Sequence, residues 1–199
     1  MNLKSSLSVL AIIASAVSAA PAAANQLIFQ GVTFETLAVD GDTLQLSILN
    51  ATSATGDWTG IGFLKAFEIK DIPAAGEVTG ASIISGPGAF SADVANGLAG
   101  GPNLGCTTGG TDGACFTGTP IAWTNSMIWT IDFTGATLDF SAPHLKVQFL
   151  INADDTSNTG SLLSQTIPIP EPGTYAMMLA GLGLMGFVAR RRRGRNTAA

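Results

Sequence analysis

The stretch "MIWTIDF", residues 127–133, decides the fold class of this chain. Four of its five apolar side chains stand at every second position, and the polar side chains of Thr130 and Asp132 separate the last three of these. The apolar set is Met127, Trp129, Ile131 and Phe133. Because successive side chains of a β-strand point to opposite faces, this pattern predicts a strand with one buried face.

The same alternation recurs between residues 25 and 169. Further strand candidates are residues 27–39, 44–48, 60–70, 78–85, 145–151 and 162–167. Asp40-Gly41 falls between the first two candidates and is a typical hairpin turn. No long segment has the 3.6-residue period of an amphipathic helix. The sequence therefore predicts an all-β fold, an antiparallel β-sandwich of jelly-roll-like type, without fixing the strand order.

The N-terminal residues 1–24 have the pattern of a secretory signal peptide. Lys4 precedes an apolar stretch at residues 7–17, and Ala22-Ala23-Ala24 provides the small residues of a cleavage site. We expect cleavage after Ala24. An uncleaved anchor is the alternative, although the apolar stretch is short for a membrane span. Residues 25–169 are then one exported domain, long enough for a single core.

The C-terminal residues 174–189 are uncharged, and a cluster of four arginines follows them directly: Arg190, Arg191, Arg192 and Arg193. As a helix, Tyr175 to Ala189 would reach about 23 Å, which is short of a hydrocarbon core of about 30 Å. A buried core helix is the alternative. The four arginines favour a transmembrane helix whose end they hold in the cytoplasm, with their stems extending it. The GxGxxG at residues 181–186 lacks the preceding strand and the later acid of a nucleotide site.

Three parts occur in order over residues 170–195: Pro170-Glu171-Pro172, the apolar segment and the arginine cluster. Together they resemble the PEP-CTERM sorting signal of Gram-negative bacteria. The resemblance implies processing near Pro-Glu-Pro by an exosortase, a membrane-embedded, transpeptidase-like protease. It also implies an inner-membrane-anchored precursor with its body outside, and later residence at the cell surface or in the exopolysaccharide matrix. Signal peptidase would be the second processing enzyme.

The charge of residues 25–169 excludes some partners. Of the fourteen acidic residues only Glu171 lies outside this body, and of the nine basic residues only Lys65, Lys70 and Lys146 lie inside it, so its net charge is −10. Such a surface repels nucleic acid and anionic membranes. An anionic polysaccharide would need divalent cations as a bridge.

Residues 86–118 contain ten glycines and few large apolar side chains. The segment is too long for an ordinary connection, so we expect a loop that is either functional or poorly ordered. It holds both cysteines, Cys106 and Cys115, which in an oxidising compartment predict a disulfide. The bond would constrain the unfolded chain by about 2.5–3 kcal/mol in the entropic account. We interpret it as a staple on an under-packed loop, since the spacing and partners of a metal site are missing.

Two further sets of residues could bind ligands. Trp58 and Trp123 are candidates for stacking on sugar rings, with core packing as the alternative, which is the favoured reading of Trp58. Asn152, Asp154 and Asn158 place oxygen ligands at alternating positions, as a calcium loop does. A polar turn explains the same residues. Calcium is thus a weak candidate, and no other metal or cofactor is expected.

No catalytic set stands out. His144 is the single histidine, and no nucleophile elbow is present. The sequence therefore predicts an exported surface or exopolysaccharide-matrix protein without catalytic activity. The alternative is a carbohydrate-binding or carbohydrate-cleaving β-sandwich, because the paired carboxylates of a glycosidase can come from any part of a fold.

Overall fold

A computed structural model of the protein describes residues 24–98, 104–109, 112–135, 137–156, 163–168, 181–183 and 185. Among these residues, no helix is both long and apolar enough to cross a membrane.

Several sequence predictions lie wholly or largely outside the described residues. They are the signal peptide at 1–24, the sorting motif at 170–172, the transmembrane helix at 174–189, and the membrane-orienting cluster of Arg190, Arg191, Arg192 and Arg193. The orientation that we assign to these arginines stays a prediction.

The described residues form fourteen strands and two short 3₁₀ turns, Ala51–Ser53 and Gly56–Trp58, and residues 181–183 and 185 are α-helical. The strands are β1 (Asn25–Phe29), β2 (Val32–Ala38), β3 (Thr43–Leu49), β4 (Phe63–Lys70), β5 (Pro73–Ala75), β6 (Gly80–Ser85), β7 (Phe90–Asp93), β8 (Asn96–Leu98), β9 (Cys106–Gly109), β10 (Ala114–Ala122), β11 (Ser126–Thr134), β12 (Thr137–Leu138), β13 (His144–Leu150) and β14 (Leu163–Thr166). The predicted all-β class is confirmed.

Ten of these strands form two five-stranded antiparallel sheets. Sheet A has the order β1-β2-β3-β11-β6, and sheet B has the order β14-β13-β4-β10-β7. The pairs β3–β11 and β4–β10 are nested, since β4 and β10 both lie between β3 and β11 in the chain, and β6 and β7 then pair with β11 and β10 as the edge strands of the two sheets. This nesting resembles a jelly roll. The short strands pair separately, β5 with β12 and β8 with β9.

The core lies between the two sheets, and β11 supplies its centre. Met127, Trp129, Ile131 and Phe133 are at most 1% exposed, as their alternation predicts. The indole ring of Trp129 lies 5.1 Å from the ring of Phe67 on β4, which joins sheet A to sheet B. The decisive stretch is therefore a central strand with one face in the shared core.

The segment 27–39 is a hairpin rather than one strand. The turn between β1 and β2 is Gln30-Gly31, and both residues have positive φ, 46° and 82°. Two such residues make the two-residue turn whose twist suits a hairpin. A Cβ on Gly31 would come 2.7 Å from the carbonyl oxygen of Ser53, so the position also requires glycine for space.

The predicted hairpin turn at Asp40-Gly41 connects β2 to β3. The Asp40 carboxylate accepts hydrogen bonds from the backbone N–H groups of Asp42 and Thr43, at 3.2 and 2.8 Å. This is the local side-chain bonding that favours aspartate in turns. The turn prediction is confirmed.

The prediction of a loop over residues 86–118 is wrong. The segment contains β7, β8, β9 and the start of β10, which is an inner strand of sheet B. Its glycines serve close packing: a Cβ on Gly113 would collide with the carbonyl oxygen of Ile69, and one on Gly118 with that of Ala89. Glycine here marks places where backbones approach each other, which composition alone cannot distinguish from looseness.

Candidate functional site

The outer face of sheet B, the face turned away from the shared core, carries an additional layer. The hairpin of β8 and β9, which we call the flap, packs against this face. The backbone N–H of Leu98 donates to Glu68 Oε2 at 3.2 Å, and that of Gly105 donates to Gln148 Oε1 at 2.8 Å. Both acceptors are buried polar side chains of the sheet, so they satisfy the flap's backbone where water is excluded.

The predicted disulfide between Cys106 and Cys115 is confirmed, with a Cα–Cα distance of 5.8 Å. It joins β9 of the flap to β10 of the sheet. Cys115 is fully buried and forms a small second core with Ala66 and Leu98. The bond therefore closes a packed layer, and the interpretation as a staple on a loose loop is corrected.

Replacing both cysteines with alanine should release the flap and leave the sandwich folded. We expect a loss of about 2–3 kcal/mol in the free energy of unfolding, from the greater freedom of the unfolded chain. Limited proteolysis should then cut first between Leu98 and Cys115. A first cut within β13, or loss of the β-sheet circular dichroism signal, would contradict this expectation and show that the flap holds the main core.

An ion pair with a buried carboxylate and a partly exposed lysine lies beside the flap. The Lys146 Nζ is 3.0 Å from Glu68 Oε2, and the Glu68 side chain is only 1% exposed. The two residues face each other across the β13–β4 pairing. The sequence contains no sign of this contact, because it depends on the register of two strands about eighty residues apart.

A polar cavity of about 440 Å³ adjoins this ion pair. Its lining is Glu68, Lys70, Glu77, Val78, Val94, Asp112 and Lys146. Carboxylates and ammonium groups line the same space, so the hydroxyl groups of a small polar molecule could find both acceptors and donors there. The outer face of sheet B is thus the candidate ligand site, and sequence reasoning missed it.

His144, the first residue of β13, contacts the edge strand β14. Its Nε2 is 2.9 Å from the Ser164 hydroxyl oxygen, while its Nδ1 lies 3.5 Å from the Thr166 hydroxyl and 3.7 Å from Asp71 Oδ2. Partial burial and then the nearby Lys70 ammonium lower the pKa of His144, which favours the neutral ring. Ser164 and Asp71 lie on opposite sides of the His144 ring, as the serine and aspartate of a catalytic triad do. The distance from Asp71 to the ring is, however, too long for a hydrogen bond.

Trp58 and Trp123 do not offer a stacking surface, which contradicts the stacking role considered for them and agrees with the core packing favoured for Trp58. Trp58 is fully buried, with its ring 5.1, 5.9 and 4.8 Å from those of Phe29, Phe34 and Phe149. Trp123 is 9% exposed and lies 4.5 Å from Phe149. The alternative reading, core packing, is the observed one.

The candidate calcium residues follow β13. The Asp155 carboxylate accepts hydrogen bonds from the backbone N–H groups of Ile151 and Asn152, at 3.1 and 2.8 Å. These bonds are typical of a polar turn. Asp154 is exposed, and Asn158 lies outside the described residues. The described part of the chain holds no group of three or more His, Cys, Asp or Glu side chains suited to a metal. Calcium at this position stays a prediction.

The two ends of the body meet along one edge of the sandwich, where β1 and β14 are the edge strands of their sheets. Asn25 is buried and donates from its side chain to the carbonyl oxygens of Phe140 and Ser141, at 2.9 and 2.8 Å. The backbone N–H of Gln26 donates to the carbonyl of Pro168 at 3.3 Å. We call this contact between the start of β1 and the residues after β14 the seam. It places the chain immediately before the Pro-Glu-Pro motif against the folded domain.

A family model of the PEP-CTERM protein-sorting motif matches residues 168–193. The chain carries a PEP-CTERM sorting signal. This signal implies an exported protein that an exosortase processes at the membrane. The match starts at Pro168, the residue that the seam holds, and ends at Arg193, the last residue of the arginine cluster. The PEP-CTERM signal therefore follows the body without a separate linker domain. No curated protein and no solved structure matches the chain.

Proposed function

We propose that the protein is a non-catalytic component of the cell surface or exopolysaccharide matrix. Its signal peptide is removed by signal peptidase after Ala24, and its PEP-CTERM helix anchors the precursor in the inner membrane with the arginines inside. Exosortase then breaks one peptide bond near Pro170-Glu171-Pro172. The tail leaves as a protonated amine, and the carbonyl carbon passes to water or to an acceptor amine.

The single observation that carries this proposal is the sorting-motif match at residues 168–193. Further support comes from the start of β1 at Asn25, the first residue after the expected cleavage site. Asn25 is a buried part of the fold, so a boundary at Ala24 would leave the body complete. The net charge of −10 on the body suits a soluble surface protein and would associate with an anionic polymer only through cations.

Replacing Pro170, Glu171 and Pro172 with alanine should abolish processing in a bacterium that carries an exosortase. We expect intact mass spectrometry of the wild-type surface protein to show an N-terminus near Asn25 and no arginine tail. The alanine variant should keep Arg190 to Arg193 and remain with the membrane fraction.

Replacing these four arginines with serine is a second test, and should disturb the orientation of the precursor. Arginine tails on wild-type protein outside the cell would refute the proposal.

Carbohydrate binding is the second candidate function, and the polar cavity beside Glu68 and Lys146 favours it over any stacking platform. A neutral oligosaccharide offers hydroxyl groups to both side-chain types. A glycan array probed with the folded body, and repeated with Lys70→Ala, would test this. Binding that weakens in the variant supports the cavity as the carbohydrate site. If no glycan binds, carbohydrate binding is refuted and only the proposed structural role remains.

A further inference from the structure

The seam leaves almost no free chain before the sorting motif. Ile167 is fully buried, and its backbone N–H donates to the carbonyl of Pro143 at 2.9 Å. The carbonyl of Pro168 accepts the N–H of Gln26. Only Ile169 lies between Pro168 and Pro170. Ile167 and Pro168 are therefore part of the folded body.

A protease that binds its substrate as an extended peptide contacts several residues on both sides of the broken bond, because main-chain hydrogen bonds supply much of the recognition. For a bond in or near Pro170-Glu171-Pro172, the upstream contacts fall on residues 167–169. Two of these, Ile167 and Pro168, already use their backbone groups within the body. They cannot serve the fold and the enzyme at the same time.

We propose that β14 must separate from β13 before the sorting signal is cleaved, so that the rate of processing depends on the local opening of the body's last strand. This inference rests on the proposed function. β14 suits such a step: it is an edge strand of four residues, and within the described part of the chain it pairs with β13 alone, at His144 to Val147. The side chains of Ser164, Gln165 and Thr166 are exposed, while Ile167, the residue after β14, is fully buried and attaches this end of the strand to the core. Short edge elements of this kind open most readily in folded proteins.

A disulfide staple across the two strands tests the proposal. His144 and Thr166 are directly paired, and opposite residues of antiparallel strands lie about 4.5–5.5 Å apart, within the range that a disulfide spans. In the full-length chain, His144→Cys with Thr166→Cys should slow the removal of the tail at least about tenfold, since the open state becomes inaccessible. The single variants are the controls, and mass spectrometry under non-reducing conditions confirms the added bond.

A linker should rescue the stapled protein. About eight Gly and Ser residues inserted between Pro168 and Ile169 would add roughly 26 Å of extended chain. The enzyme could then bind the motif without disturbing β14, so processing should return to the wild-type rate. A stapled protein that is processed as fast as wild type without the linker, or that stays unprocessed with it, overturns the proposal.

A second pair of variants needs no staple. Ile167→Ala lies outside the matched motif and weakens the attachment of β14, so it should speed processing about tenfold. Ile48→Ala on β3 removes an equally buried side chain of the same size that makes no contact with β14 through strand pairing, because β3 lies in the other sheet. Equal acceleration by both variants would show that global unfolding controls the reaction and would overturn the proposal. If wild type is never trimmed, or if trimming survives alanine at Pro170, Glu171 and Pro172, the proposed function itself fails.

Discussion

Lys146→Ala should lower the free energy of unfolding by about 3 kcal/mol, because it leaves a buried carboxylate without its counter-charge. Glu68 is 1% exposed, and its Oε2 lies 3.0 Å from Lys146 Nζ. The same oxygen also accepts the Leu98 N–H of the flap. Urea denaturation followed by tryptophan fluorescence would measure the change. For a chain of this length the melting temperature should fall by about 6–12 °C.

The matched control keeps the shape and removes both charges. In Glu68→Gln with Lys146→Met, the glutamine oxygen can still accept the Leu98 N–H, and the methionine fills the volume of the lysine stem. Replacing both partners of a buried pair is often close to neutral, so we expect a change within about 1 kcal/mol. A double variant as unstable as Lys146→Ala alone would contradict this expectation, and would show that the ion pair itself is net stabilising and that an unpaired carboxylate is not the cause of the loss.

Trp58→Ala should cost about 3–5 kcal/mol, the usual range for removing a large buried aromatic side chain. Its ring contacts those of Phe29 and Phe34 from sheet A and Phe149 from sheet B. The substitution would therefore leave a cavity between the two sheets. Differential scanning calorimetry should show a loss of about 6–20 °C in melting temperature.

Two controls separate this effect from a surface role of the tryptophan. Trp58→Phe keeps most of the apolar volume and should be milder than the alanine variant. Ile128→Ala changes a side chain that is 43% exposed and should stay within about 0.5 kcal/mol of wild type. An alanine variant at Trp58 that melts like wild type but loses glycan binding would contradict the buried position and restore the stacking hypothesis.

The features predicted correctly from the sequence are those encoded by neighbouring residues. The alternation around Trp129 depends on one strand, the turn at Asp40-Gly41 on a dipeptide, and the sorting signal on one contiguous stretch. The disulfide was predictable because the chain offers two cysteines and an exported setting. The alternation, the turn and the sorting signal each depend on residues close together in the chain. The disulfide links distant strands, but each cysteine has no other cysteine to pair with.

The features that sequence reasoning missed depend on residues far apart in the chain. Trp58 follows Asp57 and lies among glycines, and only the 3₁₀ turn that carries its ring inward reveals it as core. In the sequence, Gly113 and Gly118 look like loop residues. Only the structure shows that they lie against the backbones of β4 and of the residue before β7, where a side chain would not fit. The pairing of Glu68 with Lys146 requires the β4–β13 register, which no local pattern specifies.

The nested pairing of β3 with β11 also determines when this protein can fold. Residues 43–49 find their partners only at residues 126–134, and β4 needs β13 as well as β10. Contacts between such distant segments form slowly, because the chain must lose the entropy of closing a long loop before these contacts can stabilise it. A chain that crosses a membrane from its N-terminus therefore cannot complete either sheet while the later strands are still inside. We expect it to stay unfolded during translocation, and the core to assemble only after β13 has emerged.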